Sequence, residues 1–321
     1  MVSRRAVVSF VLVGVLFGGT FVAAKGGLEY FPPLLFVALR FDVAAVLLLG
    51  YAALTTDRSD LLPRTRSDAA GILATGVLTI GLTNALIFVG QGYVTSGVAS
   101  IIASLNPIMT PVFAALLLSD ERLSPRGVAG LLVGLVGVAL VVSPDPANLF
   151  AGGLVGKAIL FGSALVGALG SVLVRRADAT ISSTVRTAWG LPLAALLAHG
   201  LSALAGESPS AVVWSQEAVL ALAYVGVFAG AVAYIAYFGL VDAVGAVRAN
   251  LAFYVVPVVA TLGGWALLGE TVSALALVGF VVIFAGFLLL GSEDVDLRAL
   301  LGTHSAESGD GSREVSPSKS D

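Results

Sequence analysis

Ten apolar runs of 16 to 26 residues fill the chain almost end to end, and few folds can take them. A bilayer core of roughly 30 Å is crossed by about 20 apolar residues in a helix. The runs are Ala6–Ala24, Pro33–Leu54, Ala69–Val89, Thr95–Leu118, Gly127–Val142, Leu154–Val174, Val185–Leu204, Ala218–Leu240, Ala243–Leu268 and Val272–Leu290. Between them lie breakers: Pro32 and Pro33, the charged stretch 57–68, Ser143-Pro144-Asp145-Pro146, and Glu207-Ser208-Pro209. A membrane β-barrel would alternate apolar and polar residues along each strand, and these runs do not. The first run, preceded by Arg4 and Arg5, has the look of a signal peptide. No small-x-small cleavage site follows it, so it reads as a retained helix. The expectation is an all-α integral membrane protein of ten transmembrane helices.

Composition closes off several functions. The 321 residues are 58% hydrophobic and 12% charged, with mean hydropathy +1.00; soluble domains are about a quarter charged. Such a chain lacks the polar surface of a soluble enzyme. With no cysteine and only His199 and His304 as histidines, disulfides, thiolate zinc sites, cysteine nucleophiles and histidine-rich metal sites are out. No metal and no cofactor is expected. A net charge of −3 and a pI near 5.4 argue against a nucleic-acid partner.

Basic residues set an orientation. With the N-terminus in the cytoplasm, 14 of the 17 fall on the cytoplasmic side, as the positive-inside rule requires. Lys25 and Lys157 fall outside, and Arg40 lies within a run. The expectation is a multi-pass protein of the cytoplasmic membrane with both termini cytoplasmic. Residues 292–321 hold seven acidic and three basic residues and read as a disordered, solubilising tail.

The chain also repeats itself. At a spacing of 149 residues Glu121 matches Glu270, Ser124 matches Ser273, Gly130 matches Gly279, Gly137 matches Gly286, Gly81 matches Gly230 and Gly90 matches Gly239. At 150, Lys25 matches Arg175 and Pro107 matches Pro257. The units are residues 1–148 and 149–291, five runs each. Five is odd, so the second unit enters the membrane upside down. Inverted repeats of this kind serve alternating access, with substrate held near the midplane between the halves.

Several stretches resemble a known family. They are GGTFVAAK at 18–25, the prolines at 32–33 with Arg40 after them, NPIMTP at 106–111 leading to DERLSP at 120–125, and Pro257 followed by LLGETVS at 267–273. Over residues 6–290 the chain is similar to the drug/metabolite transporter superfamily, and within it to the EamA-type family with two five-helix repeats. The resemblance implies export or uptake of small metabolites such as amino acids.

Candidate residues follow from what lipid penalises. Pro107, Pro111 and Pro257 sit inside runs four and nine, where each removes an amide donor; the expectation is helix kinks at a substrate cavity. Arg40, an ionisable group deep in a run, is a functional candidate. It can meet a substrate carboxylate or Asp42, although residues two apart on a helix point apart. Asn84, Gln91, Asn106 and Asn250 are amides within or beside apolar runs, and serve either helix association or ligand. Trp189, Tyr234, Tyr237 and Tyr254 are candidates for an amphipathic pocket. Glu121 and Glu270 end runs four and nine and are candidates for gates, or simply mark helix ends. Ser124 and Ser273 read as caps of the following helices. Small-xxx-small pairs such as Gly14/Gly18, Gly130/Gly134 and Gly226/Gly230 support either packing within one subunit or a homodimer face.

The function that unites these readings is a secondary transporter, read as an exporter, with no catalytic residue. Its partners are a small-molecule substrate and the lipid bilayer. Two alternatives stand beside it: a non-transporting membrane scaffold, and an intramembrane hydrolase built on Ser163 or Ser171 with His199.

Overall fold

The computed structural model describes residues 4–118, 125–142, 152–244, 249 and 251–291. All regular structure in them is helical: ten rods, with short helical pieces between them at Arg58–Leu61 and Pro209–Ala211. Rods α1 (Arg4–Gly27), α2 (Pro33–Thr55), α5 (Pro125–Val142), α6 (Gly152–Ala177), α7 (Ser183–Leu204) and α10 (Ala274–Gly291) are continuous α-helices. α3 runs Arg66–Gln91 and α4 Ser96–Leu117. α8 is built from Gln216–Ala223, Tyr224–Val232 and Ala233–Val244, and α9 (Val256–Leu268) follows a 3₁₀ turn at Leu251–Tyr254. Seven of the rods are long and apolar enough to cross a membrane; α5, α9 and α10 are shorter apolar helices.

The repeat seen in the sequence is a repeat of irregularities as well. Both α3 and α8 contain a nine-residue π-helical segment, Ala74–Leu82 and Tyr224–Val232, 150 residues apart. The wide π turn shifts hydrogen bonding to five residues, and hydroxyls follow it: Thr79 donates to the Ala74 carbonyl and Thr83 to that of Leu78. Nothing in the apolar periodicity announces these segments.

A second irregularity corrects an expectation. Run four is not a kinked helix but two helices, Ser96–Ala103 and Asn106–Leu117, separated at Ser104 and Leu105. Pro107 occupies the first turn of the second helix, and Pro257 likewise opens α9. A proline there gives up an amide that had no intrahelical partner anyway, so both start helices instead of bending them. Of these three only Pro111 stands inside its helix, as Pro192 does in α7.

Equivalent rods point in opposite directions. The amides of Leu34 and Leu35, at the start of α2, donate to the Glu207 carboxylate just past the end of α7. Farther along the same pair, Asp42 meets His199. So α2 and α7, equivalent at 150, lie antiparallel. In the α5–α10 pair a Cβ at Gly137 would fall 2.7 Å from the Gly279 carbonyl, and one at Gly286 would fall 2.7 Å from that of Gly130. Rising along α5 therefore means falling along α10. Backbone contact this close is what small residues allow where lipid, not water, surrounds helices.

Across the halves the contacts exchange. α7 takes the π segment of α3 against Ala194, at Gly81; α2 takes that of α8 against Ala44, at Gly230. α1 packs on α8 and α9, and α6 on α3 and α4. One apolar core gathers α2, α3, α7 and α8 around Phe36, Phe41, Phe88 and Leu191. A second joins α4, α5, α6, α9 and α10 around Ile102, Ile108, Leu160 and Ile283.

Candidate functional site

Arg40 sits on the face of α2 turned into the first core and is only 3% exposed. Its guanidinium lies over two rings, with Cζ 4.8 Å from the Phe41 centroid and 5.2 Å from that of Phe88, within cation–π range. Its hydrogen bond goes from Nη1 to Asn84 Oδ1 on α3, at 3.4 Å, while Asn84 Nδ2 donates to the Ile80 carbonyl. Arg40 Nε is buried with no partner. Tyr234 of α8 is within electrostatic range of the guanidinium.

Asn84 and Tyr234 are equivalent positions, 150 residues apart. Arg40 is therefore coupled to the same position of each half, by a hydrogen bond to Asn84 and electrostatically to Tyr234. Its own equivalent is Gly190, whose Cα lies 3.0 Å from where a Gly76 Cβ would be. The frame is symmetric and its charge is not.

Tyr234 belongs to an aromatic cluster. Phe17 of α1 meets it edge-on at 5.4 Å and tilts against Phe253 at 5.4 Å. Tyr237 packs on Phe253 at 5.4 Å and on Phe238 at 5.6 Å. Rods α1 and α8 and the turn before α9 thus converge beside Arg40. Phe17, Phe88, Phe238 and Phe253 join the site through this packing. No sequence signal separates them from the other phenylalanines, since an aromatic in an apolar run faces ligand, lipid and core alike.

Other candidates stand apart from this group. Gln91 is fully buried and its Nε2 donates to the Phe21 carbonyl, so it joins α3 to α1 near their ends. Trp189 donates to the Leu61 carbonyl at 2.8 Å and packs with Ile72, Ile181 and Val185. Asn106 leans on Gly167 of α6, and Thr110 Oγ1 donates to its carbonyl at 2.8 Å. Glu121 and Asn250 lie outside the described residues; Tyr254 ends the 3₁₀ turn, its side chain outside the description.

Glu270 closes one end of the bundle. Gly269 ends α9 with φ +64°, a conformation costly for any residue with a Cβ. The chain then turns back, and the Glu270 carboxylate accepts from the Ser96 amide at the start of α4, at 2.9 and 3.1 Å. Ser96 Oγ and Gln91 Nε2 both donate to the Phe21 carbonyl, and Lys25 Nζ donates to the Gln91 carbonyl at 3.0 Å. Four rods, α1, α3, α4 and α9, are tied together at this Lys25 end. At the opposite end Asp68 accepts from Thr65 and Arg64 on its own side and from Thr180 and Ile181 of the other half. A cavity of about 560 Å³ opens there, beside Asp57, Arg64, Asp68 and Thr180.

The EamA-like transporter family model matches this chain twice, over residues 4–143 and 154–292. The chain belongs to the EamA-like transporter family. As a family member it is similar to the uncharacterized transporter YoaV of Bacillus subtilis, 26% identical over 285 residues that cover 89% of this chain and 96% of that one. The uncharacterized inner membrane transporter YedA of Escherichia coli K12 is 30% identical over 274 residues, covering 84% and 86%. A crystal structure 23% identical aligns with a TM-score of 0.61 over 91% of this chain and 99% of that one, a likeness of fold. This EamA-like chain is thus a multi-pass membrane protein of a transport family, and the two matched segments coincide with the two sets of five rods.

The residues set aside for hydrolysis are engaged elsewhere. Ser163 and Ser171 donate to carbonyls of their own helix, Leu160 and Gly167. His199 Nε2 meets Asp42 Oδ2 at 2.9 Å, with the two side chains 43% and 49% exposed. That pair joins α2 to α7 on the outward face of the EamA-like bundle.

Proposed function

We propose that this protein is a secondary transporter of the cytoplasmic membrane that exports small metabolites by alternating access. All ten rods cross the bilayer as two inverted repeats, with both termini in the cytoplasm and the Lys25 end outside. The reading is carried by one observation: Arg40, buried and short of partners, is coupled to equivalent positions of two halves that run in opposite directions. An ionisable group at that depth is expensive unless it works, and opposed halves of like structure can rock about such a group. Pro107 and Pro257, 150 residues apart, support the reading as equivalent helix starts in the two halves. Glu270, Ser96, Gln91 and Lys25 would then close the outer gate. Asn84, Tyr234 and Tyr237 would lie toward the substrate path.

Two measurements test it. In proteoliposomes loaded with unlabelled metabolite, external labelled metabolite should accumulate by counterflow; a screen of organic metabolites without any counterflow rejects the carrier. The chain has no cysteine, so single replacements report topology cleanly. Ser210→Cys should react with an impermeant maleimide on intact cells, and Ser316→Cys only after permeabilisation.

A further inference from the structure

We infer that the Arg40 site takes a small organic anion, a carboxylate with an apolar or aromatic body and no ammonium group. This rests on the carrier reading and narrows its substrate. A guanidinium offers five N–H donors, and here one is used, on a long bond to Asn84, while Nε has no partner. Phe41 and Phe88 stabilise the charge through their faces but neutralise nothing. Among the described residues no carboxylate pairs with Arg40: the nearest in sequence, Asp42, points to the exposed face of α2 and meets His199. A buried cation in a membrane core, with no carboxylate beside it among the described residues, is matched by what binds it. A carboxylate satisfies a guanidinium with two parallel hydrogen bonds.

The neighbours define the rest of the molecule. Tyr234 and the rings of Phe17, Tyr237 and Phe253 form an amphipathic wall beside the guanidinium. Such a wall takes an apolar or aromatic body and offers a hydroxyl. Among the described residues of this group no carboxylate stands ready for an ammonium. An amino acid would bring a second charge that no carboxylate among the described residues of this group meets, so the site favours a plain anion over a zwitterion. Because the equivalent of Arg40 is Gly190, the binding is one anion per chain.

The test uses the full chain in lipid nanodiscs and four probes of one shape: 3-phenylpropanoate, 3-phenylpropanamide, phenylalanine and 2-phenylethylammonium. Binding is read from equilibrium competition and from ligand-induced thermal stabilisation. Wild type should hold the carboxylate at least tenfold more tightly than the other three, at one per chain. Arg40→Gln should erase that preference and Arg40→Lys should restore part of it. Should Arg40→Gln fail to fold, the wild-type ranking and Arg40→Lys decide alone. Equal binding of acid and amide, no binding of any probe, or an anion preference that survives Arg40→Gln overturns the inference. Counterflow of a neutral or zwitterionic solute by the same preparation overturns the substrate class and leaves the carrier standing.

Discussion

The Asp42–His199 pair poses the sharpest question at the scale of the residue. Both side chains are about half exposed, Asp42 near the middle of α2 and His199 five residues from the end of α7, beside Val46 at 73% and Leu196 at 68% exposure. That surface is one lipid would cover, and a lone aspartate at the centre of a membrane helix costs about 2.5–3.5 kcal/mol on insertion scales. Paired at 2.9 Å, the two groups satisfy each other's hydrogen bonding. Removing one partner leaves a charge with no counterpart, while replacing both by apolar groups is close to neutral. His199→Leu alone should therefore lower stability by about 2 kcal/mol, and the Asp42→Leu/His199→Leu double variant should recover most of it. Denaturant unfolding in detergent micelles measures this; a double variant as weak as the single one would falsify the pairing. The sequence made Asp42 a poor partner for Arg40 from helical spacing alone. It could not show that the partner sits 157 residues away on a rod of the other half.

Glu270 makes the same point from the other side. Its position at the end of a run was legible; its partner was not, because the Ser96 amide carries no residue signature. A carboxylate accepting from a backbone amide contributes about 1.5–3 kcal/mol. Glu270→Gln keeps an acceptor and should retain most of the stability, whereas Glu270→Ala should lower the melting temperature by several degrees.

At the scale of the element, the runs of apolar residues mapped onto rods because length and hydropathy decide where a helix can lie. Two kinds of feature escaped. The π segments of α3 and α8 depend on packing against α7 and α2, which no local pattern encodes. Pro107 and Pro257 act on the helices that follow them and not on what comes before, so they start helices where Pro111 stands within one. Glycines divide in the same way. Gly90 and Gly239 match across the repeat, yet a Cβ at Gly90 would meet Leu160 Cγ at 2.7 Å while nothing lies within 4 Å of one at Gly239. Gly279 is more confined still, with the Gly137 carbonyl 2.7 Å from its Cβ position. Gly279→Leu should separate α5 from α10 and abolish monodisperse expression, and Gly239→Leu should leave it unchanged. Size-exclusion profiles in detergent decide; a monodisperse Gly279→Leu protein would mean that the close approach is dispensable.

For the whole molecule, the repeat and its inversion were legible from residue matches and an odd count of runs, and the burial of Arg40 from its depth in a run. The network at the Lys25 end was not, since it is assembled from side chains and backbone groups of four different rods. Its energetics set a population. Each tie contributes about 1 kcal/mol net, and that shifts a two-state balance by about fivefold. If the halves rock, loosening one tie moves the protein toward the state open at that end without touching Arg40. Ser100 is 1% exposed, one turn into α4 from Ser96. A Ser100→Cys reporter should react slowly with an aqueous maleimide in an otherwise native protein. Adding Gln91→Ala removes the link from α3 to Phe21 and should raise that rate about fivefold, and adding Glu270→Ala should raise it again. Because the ties share one end, the two increments should multiply. A rate unchanged by either substitution would mean that this end does not open, and the polar network would then be a fixed floor of the bundle instead of a gate.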